Sequence, residues 1–210
     1  MIIAESLYTF IAASTLLGLA PGPDNIFVLT QSALHGRKAG LLVTLGLCTG
    51  LIAHTSAVAL GVAALLQASP TAFTLLKMAG ALYLIYLAWL AFSASRAKLR
   101  GNADNKLTGI RLYRRGIIMN VTNPKVTIFF LAFLPQFVTA DQGGVAQQIF
   151  LLGALFILVT LFVFGGIAFL AGALGAWLND SPKAQVYLNW IAGTVYLGLA
   201  IKLATGDSSG

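Results

Sequence analysis

Two charged side chains lie inside apolar stretches of this sequence, and each directly follows a proline. Asp24 ends the run Pro21-Gly22-Pro23-Asp24, and Lys125 ends the run Asn123-Pro124-Lys125. A charge at the centre of a membrane costs about 2.5–3.5 kcal/mol on insertion scales, so charges retained there generally serve a function. One acid and one base at two such breaks could bind the ammonium and carboxylate groups of a zwitterion. The alternative is an ion pair with a purely structural role.

The prolines supply further ligands at both breaks. Proline removes a backbone donor and clashes with the preceding helical turn, so nearby carbonyl groups lose their helical partners. In lipid these carbonyls need protein or a water-filled cavity to satisfy them, and half-helix N-termini attract anions. We therefore predict one transport site built from both breaks and the polar side chains beside them. Its residues are Pro21, Gly22, Pro23, Asp24, Asn25, Asn120, Asn123, Pro124 and Lys125.

Three further polar residues are weaker candidates. Gln31 and Thr122 lie near the breaks and could line the path of a substrate. His54 lies in an apolar segment, where it could relay protons. A histidine that is hydrogen-bonded inside the protein and serves helix packing is the favoured interpretation of His54.

The composition places these residues in a membrane. Of the 210 residues, 58% are hydrophobic and only 9% are charged, whereas soluble domains carry about 25% charged residues. The mean hydropathy is +0.87, and apolar runs of about twenty residues, each long enough to cross a bilayer, recur along the chain. The net charge of +7 comes from basic residues in the loops, which indicates membrane topology and not binding to nucleic acid.

The chain is predicted to be an all-α polytopic membrane protein with six hydrophobic segments. The segments cover residues 3–34, 41–66, 71–93, 116–138, 146–172 and 186–204. The prolines divide the first and the fourth, so the first segment either crosses the bilayer as a broken helix or forms a re-entrant hairpin. Because no basic residue precedes the first apolar run, we do not expect a cleaved signal peptide.

The distribution of Lys and Arg predicts the orientation. Ten basic residues flank the loops after segments one, three and five, and two lie on the opposite side. Basic loops remain cytoplasmic, so both termini are predicted to face outward.

The two halves are predicted to form inverted repeats of three helices. AGALYL at 79–84 matches AGTVYL at 192–197, and each half contains one broken segment. Broken helices at corresponding positions are the best sequence indicator of a transporter site. The predicted organisation is therefore a first repeat at 1–93, a basic cytoplasmic linker at 94–115 and a second repeat at 116–210.

Three stretches connect these breaks to a known family. They are APGPD at 20–24, HGRKAGLLVTLGLCTG at 35–50 and NVTNPKVTIFFLAFLPQF at 120–137. The chain resembles the LysE/RhtB family of bacterial amino-acid exporters over nearly its whole length. This resemblance implies an inner-membrane efflux carrier without a cofactor, coupled to protons by antiport. The branch it is most similar to exports homoserine, threonine and leucine.

Other classes of protein fit the sequence less well. The sequence has no GxxxxGK[ST] nucleotide loop, and its lone Cys48 cannot form a redox pair or a cysteine metal site. A membrane protease would need a nucleophile with a base, and His54 has no GxSxG partner. The alternative is an ion or metal transporter, although metal sites favour more acidic, His or Cys ligands than this core offers. The sequence does not decide whether the protein forms a homo-oligomer, because Gly46-x-x-x-Gly50 could serve helix packing within one chain alone.

Overall fold

The computed structural model describes residues 4–68, 70–94, 107–138 and 144–205, and in these ranges all regular structure is helical. The helices are α1 (Ala4–Leu19), α2 (Pro23–His35), α3 (Arg37–Ala68), α4 (Pro70–Ser93), α5 (Gly109–Val121), α6 (Pro124–Ile128), α7 (Val145–Asp180) and α8 (Pro182–Thr205). A π-helical turn at Phe129–Phe133 and a 3-10 turn at Leu134–Phe137 continue α6. The predicted all-α fold is confirmed.

Both predicted breaks are present. The first segment divides into α1 and α2, and Pro23 occupies the first turn of α2. The fourth divides into α5 and α6, with Pro124 in the first turn of α6. Proline suits this position because its missing N–H would have no partner there. The two parts of the fourth segment, Gly109–Val121 and Pro124–Phe137, are bent by 50°.

The described residues contain fewer candidate crossings than the six apolar segments predicted from the sequence. Four helical stretches are long and apolar enough to span a membrane: Arg37–Gly61, Thr74–Ser93, Val145–Ala173 and Lys183–Thr205. The bent pair of α5 and α6 adds a fifth if it counts as one span. Ser6–Leu19 is apolar but shorter, so six crossings and their inverted relation remain predictions. Residues 95–106 of the predicted linker lie outside the described residues.

The start of α3, the start of α5 and the end of α7 lie at one end of the bundle. A methyl group on Gly109 would lie 3.2 Å from Leu42 Cδ1, and one on Gly40 would lie 3.1 Å from Ala168 Cβ. This end, which we call the basic end, carries the exposed side chains of Arg37, Lys38, Arg111, Arg114, Arg115 and Lys183. These six exposed basic residues thus gather at the end predicted to face the cytoplasm.

Helices α3 and α5 run parallel and touch through glycines. A methyl group on Gly46 would lie 3.0 Å from Gly116 Cα, and one on Gly50 would lie 2.7 Å from Asn120 Oδ1. The spacing Gly46-x-x-x-Gly50 therefore serves contact within the chain, as small residues commonly do between membrane helices.

An aromatic cluster fills the core towards the end opposite the basic end. Its members are Phe10, Phe129, Phe130, Phe133, Phe137 and Phe156. Phe129 and Phe133 lie 4.9 Å apart between ring centroids, and Phe130 and Phe156 lie 5.1 Å apart. Lys202, in the last turn of α8, lies 4.6 Å above the Phe137 ring. The cluster closes this side of the two breaks.

Candidate functional site

A hydrogen bond joins the two breaks. Asn123 Nδ2 donates to Asp24 Oδ2 at 2.8 Å across 99 positions of sequence. Asp24 is 4% exposed and Asn123 is 7% exposed. The acid of the first break is therefore held by the residue that begins the second.

Asn123 has a second task, because it also caps α6. Its Oδ1 accepts a hydrogen bond from the backbone N–H of Lys125 at 3.0 Å. An asparagine at this position satisfies a backbone donor that the first helical turn leaves free. Since Oδ1 serves the cap, Nδ2 is left to face Asp24, and the amide has one orientation that satisfies both contacts.

The ammonium of Lys125 lies at the end of α1. Its Nζ donates to the carbonyl oxygens of Leu17 and Ala20, both at 3.3 Å. The last carbonyl groups of a helix have no partner within it and attract cations. A methyl group on Gly22 would lie 3.2 Å from Nζ, so glycine leaves room for the ammonium group.

The direct ion pair between Asp24 and Lys125, which was the alternative to a transport site, is not formed in this conformation. Among the described residues, Asn123 instead holds the carboxylate and the α1 carbonyls hold the ammonium. The two opposite charges still share one buried site. Asp24 Oδ2 and Lys125 Nζ each bond neutral polar groups near the breaks, and Asp24 Oδ1 has no partner.

Two more side chains satisfy the first break. Asn25 Nδ2 donates to the carbonyl oxygen of Gly18 at 2.6 Å. Tyr196 Oη donates to the carbonyl oxygen of Pro21 at 3.5 Å, a long contact. Sequence reasoning did not include Tyr196 in the site, although it lies in the AGTVYL stretch that matches the third segment.

A cavity of about 20 Å³ adjoins these groups. It is lined by Leu17, Gly18, Asp24, Leu47, Asn120, Lys125, Val126, Phe156, Thr160 and Phe164. This volume holds about one water molecule, so the site is closed to an amino acid in this conformation. Asp24 Oδ1, Asn25 Oδ1 and Asn120 Oδ1 are buried without a hydrogen-bond partner, which leaves acceptors available to a ligand.

The three weaker candidates from the sequence lie in different parts of the structure. His54 Nε2 lies 3.2 Å from the carbonyl oxygen of Asn120, and its ring packs 5.6 Å from that of Phe130, which agrees with the favoured packing interpretation. Thr122 is exposed, and its hydroxyl donates to the carbonyl oxygen of Ile118 within its own helix. Gln31 lies on α2, away from the cavity lining. The described residues contain no group of three His, Cys, Asp or Glu side chains arranged to hold a metal.

The sequence is similar to bacterial efflux proteins over nearly its whole length. The homoserine/homoserine lactone efflux protein of Salmonella typhimurium is 37% identical over 202 residues, which cover 96% of this chain and 97% of that relative. The leucine efflux protein of the same organism is 29% identical over 205 residues, covering 96% and 95%. An uncharacterised membrane protein of Vibrio cholerae is 29% identical over 201 residues, covering 95% and 96%.

The family assignment rests on a match that includes both breaks. No solved structure matches the chain significantly, but the model of the LysE type translocators matches residues 15–207. The chain therefore belongs to the LysE type translocator family, and it is a bacterial multi-pass membrane transporter and not an enzyme.

Proposed function

We propose that this protein is a secondary exporter of small neutral amino acids, of the homoserine, threonine and leucine type, across the bacterial inner membrane. The observation that carries the proposal is a buried carboxylate and a buried ammonium in one site, with Asp24 Oδ1 left without a partner. A free amino acid carries the complementary pair of charges. The names of the relatives, which export homoserine and leucine, support the same substrate class.

The groups at the breaks suit both ends of an amino acid. The substrate's ammonium would bind Asp24 Oδ1 and the carbonyl groups at the end of α1, which Lys125 occupies in this conformation. Its carboxylate would bind the Lys125 ammonium and the N-termini of α2 and α6, because helix N-termini favour anions. The substrate thus replaces internal contacts of the closed site.

The charge count favours neutral over dibasic substrates. Among the described residues, Asp24 is the one buried acid. A lysine or arginine substrate would bring a second positive charge into the core, where an unpaired charge is costly. A compact neutral side chain needs only an apolar wall, which Leu47, Val126, Phe156 and Phe164 supply.

Proton antiport is part of the proposal and rests on Asp24. A carboxylate that binds the substrate's ammonium can bind a proton once the substrate has left, so the two would occupy the site in turn. We propose that this exchange couples efflux to the proton gradient. The alternative of an ion or metal transporter has no specific observation in its favour among the described residues.

The test is export by cells that overproduce the protein. We expect extracellular homoserine, threonine or leucine, measured by mass spectrometry, to rise, and the rise to vanish in Asp24→Asn. Thr122→Val, which changes an exposed side chain bonded only to its own helix, should export normally. Efflux of lysine or arginine above that of every neutral amino acid would contradict the substrate class. Normal export by Asp24→Asn would remove the carboxylate from the mechanism.

A further inference from the structure

One face of α2 carries a row of polar side chains that extends from the first break to the basic end. Gln31 and His35 follow Asp24 by seven and eleven residues. On an α-helix these positions return to within about 20° of the direction of Asp24. Val28 lies between them on the same side and is fully buried. We call Asp24, Gln31 and His35 the polar row.

Every member of the polar row has a buried polar atom without a hydrogen-bond partner. These atoms are Asp24 Oδ1, Gln31 Oε1 and His35 Nε2. The neighbouring Ser32 points to a different side of α2, where its hydroxyl donates to the carbonyl oxygen of Val28 at 2.7 Å. Asn25 Oδ1, at the first break, also has no partner, but beyond that break the unpartnered atoms of α2 belong to Gln31 and His35, which lie on one face of the helix.

Unpartnered buried polar atoms are rare because each one loses its hydrogen bonds to water on burial. Three in one row raise the free energy of this closed conformation relative to one in which water reaches them. A conformation with a hydrated row is thereby favoured as an alternative state. A route that alternates between a closed and an open state requires that the free energies of the two states differ little.

A thin apolar layer closes the row. Val28 packs in a cluster with Ala39, Val43, Leu47, Leu112, Phe164 and Ala168. Leu47 and Phe164 also line the cavity beside Asp24, so this layer separates the site from the rest of the row. On the opposite side the aromatic cluster is thicker, and it extends through Phe133 and Phe137 to Lys202.

We infer that the polar row of α2 lines a water-filled route between the basic end and Asp24. The apolar layer around Val28, Leu47 and Phe164 closes this route in the present conformation. The route serves the substrate and water on the cytoplasmic side, and in this respect the inference rests on the proposed function. Gln31 and His35 are lining residues in it, not members of the binding site.

Water access along α2 can be measured without any transport assay. Cys48 is the only cysteine of the chain, so Cys48→Ala gives a background in which single cysteines are introduced. Gln31→Cys and His35→Cys test the polar row. Ile26→Cys and Leu34→Cys are matched controls at exposed positions of the same helix outside the polar row. A membrane-impermeant, positively charged methanethiosulfonate is applied to inside-out membrane vesicles.

Because these reagents react with the hydrated thiolate, we expect Gln31→Cys and His35→Cys to react about tenfold faster than Ile26→Cys and Leu34→Cys. Leu34 is nearer the basic end than Gln31, so faster labelling at 31 cannot come from depth alone. Saturating homoserine should slow labelling at 31. Equal rates at both pairs of positions, or labelling of Gln31→Cys only in right-side-out vesicles, would overturn the route.

A substitution that keeps the volume of the side chain supplies a second test. Gln31→Leu should fold with normal yield, since it removes an unpartnered polar atom from the interior, and it should slow export severalfold. Normal export by Gln31→Leu would contradict the route. If labelling shows no difference between the two pairs of positions while Asp24→Asn still abolishes export, the route is wrong and the proposed function stands.

Discussion

The two breaks interrupt their segments in the same way, but the helix that follows each break is capped by a different residue. The first is capped by Gly22, which has no side chain, and it is followed by the thirteen-residue helix α2. The second is capped by the side chain of Asn123 and is followed by five helical residues, a π-helical turn and a 3-10 turn. The first break leaves carbonyl groups free, and the second supplies the donors that reach them.

The difference shows that neither break is complete alone. Lys125 satisfies carbonyl groups of α1, and Asn123 holds the acid of α2. In a membrane an unsatisfied backbone group is costly, so each break depends on the other for its stability. The pair of breaks is therefore the structural unit, and the predictions below test that dependence.

The orientation of the two breaks gives an all-or-none prediction. If they belong to inverted halves, a reporter fused at residue 104 will be cytoplasmic, and reporters at 141 and 208 will be external, because the basic residues favour the cytoplasm. Paired alkaline phosphatase and green fluorescent protein fusions measure this. A cytoplasmic signal at 208 would contradict the inverted relation.

Removing one charge should have the largest effect on the protein itself. Asp24→Asn or Lys125→Met should each abolish export, and each leaves one buried charge without the opposite charge of the site, so the yield of folded protein should fall. Export and yield in membranes are measured together. The double variant should recover yield without export, and recovery of both would make the two charges purely structural.

Reversing the charges is the sharper control for that pair. Asp24→Lys combined with Lys125→Asp retains one acid and one base, but it places each at the wrong helix ends. We expect a folded and inactive protein. Export by this variant would show that the direction of the pair relative to α1, α2 and α6 is irrelevant.

Asn123→Ser separates the two tasks of Asn123. Serine is a good N-cap, so α6 should persist, but its short side chain cannot reach Asp24 as the amide does. A hydrogen bond to a charged group contributes about 1.5–3 kcal/mol, so export should fall about tenfold or more. Transport of labelled homoserine in proteoliposomes measures the rate. An unchanged rate would mean that the bridge between the breaks does not matter.

Gly22→Ala tests the room that the first break leaves for Lys125. The added methyl group would lie 3.2 Å from Nζ, so the ammonium must shift by a few tenths of an ångström. We expect export to fall about two- to fivefold, equivalent to about 0.5–1 kcal/mol. Gly198→Ala is the matched control, because its methyl group meets nothing within 4 Å. Equal export by the two variants would contradict the crowding of Lys125.

Tyr196→Phe should have the smallest effect. The hydroxyl contact to Pro21 is long at 3.5 Å. A neutral hydrogen bond contributes about 0.5–1.5 kcal/mol to the stability of the folded protein. The purified protein should unfold at a slightly lower temperature, with export within about twofold of normal. Tyr187→Phe, at an exposed position, should not change the unfolding temperature. A large loss of export in Tyr196→Phe would give the hydroxyl a role beyond support of the break.

The helices and both breaks could be predicted because their signals are local. Apolar runs mark the long helices, and Pro23 and Pro124 fix where α2 and α6 begin. The sequence also predicted that Asp24, Asn123 and Lys125 come together, as they do in the structure. It could not predict that Asn123 holds the Asp24 carboxylate, because that contact depends on how segments 99 residues apart are packed. The π-helical turn has no local signal, and the place of Tyr196 is set by tertiary packing alone.

The glycine contact between α3 and α5 has a mechanical consequence. With backbones in direct contact at Gly46 and Gly116, the two helices cannot slide or rotate past one another without a steric clash, so they behave as a single rigid block. Packed interfaces of this kind move as units, and the displacement falls on looser neighbours. We therefore expect a transport cycle to keep α3 and α5 together as a fixed frame.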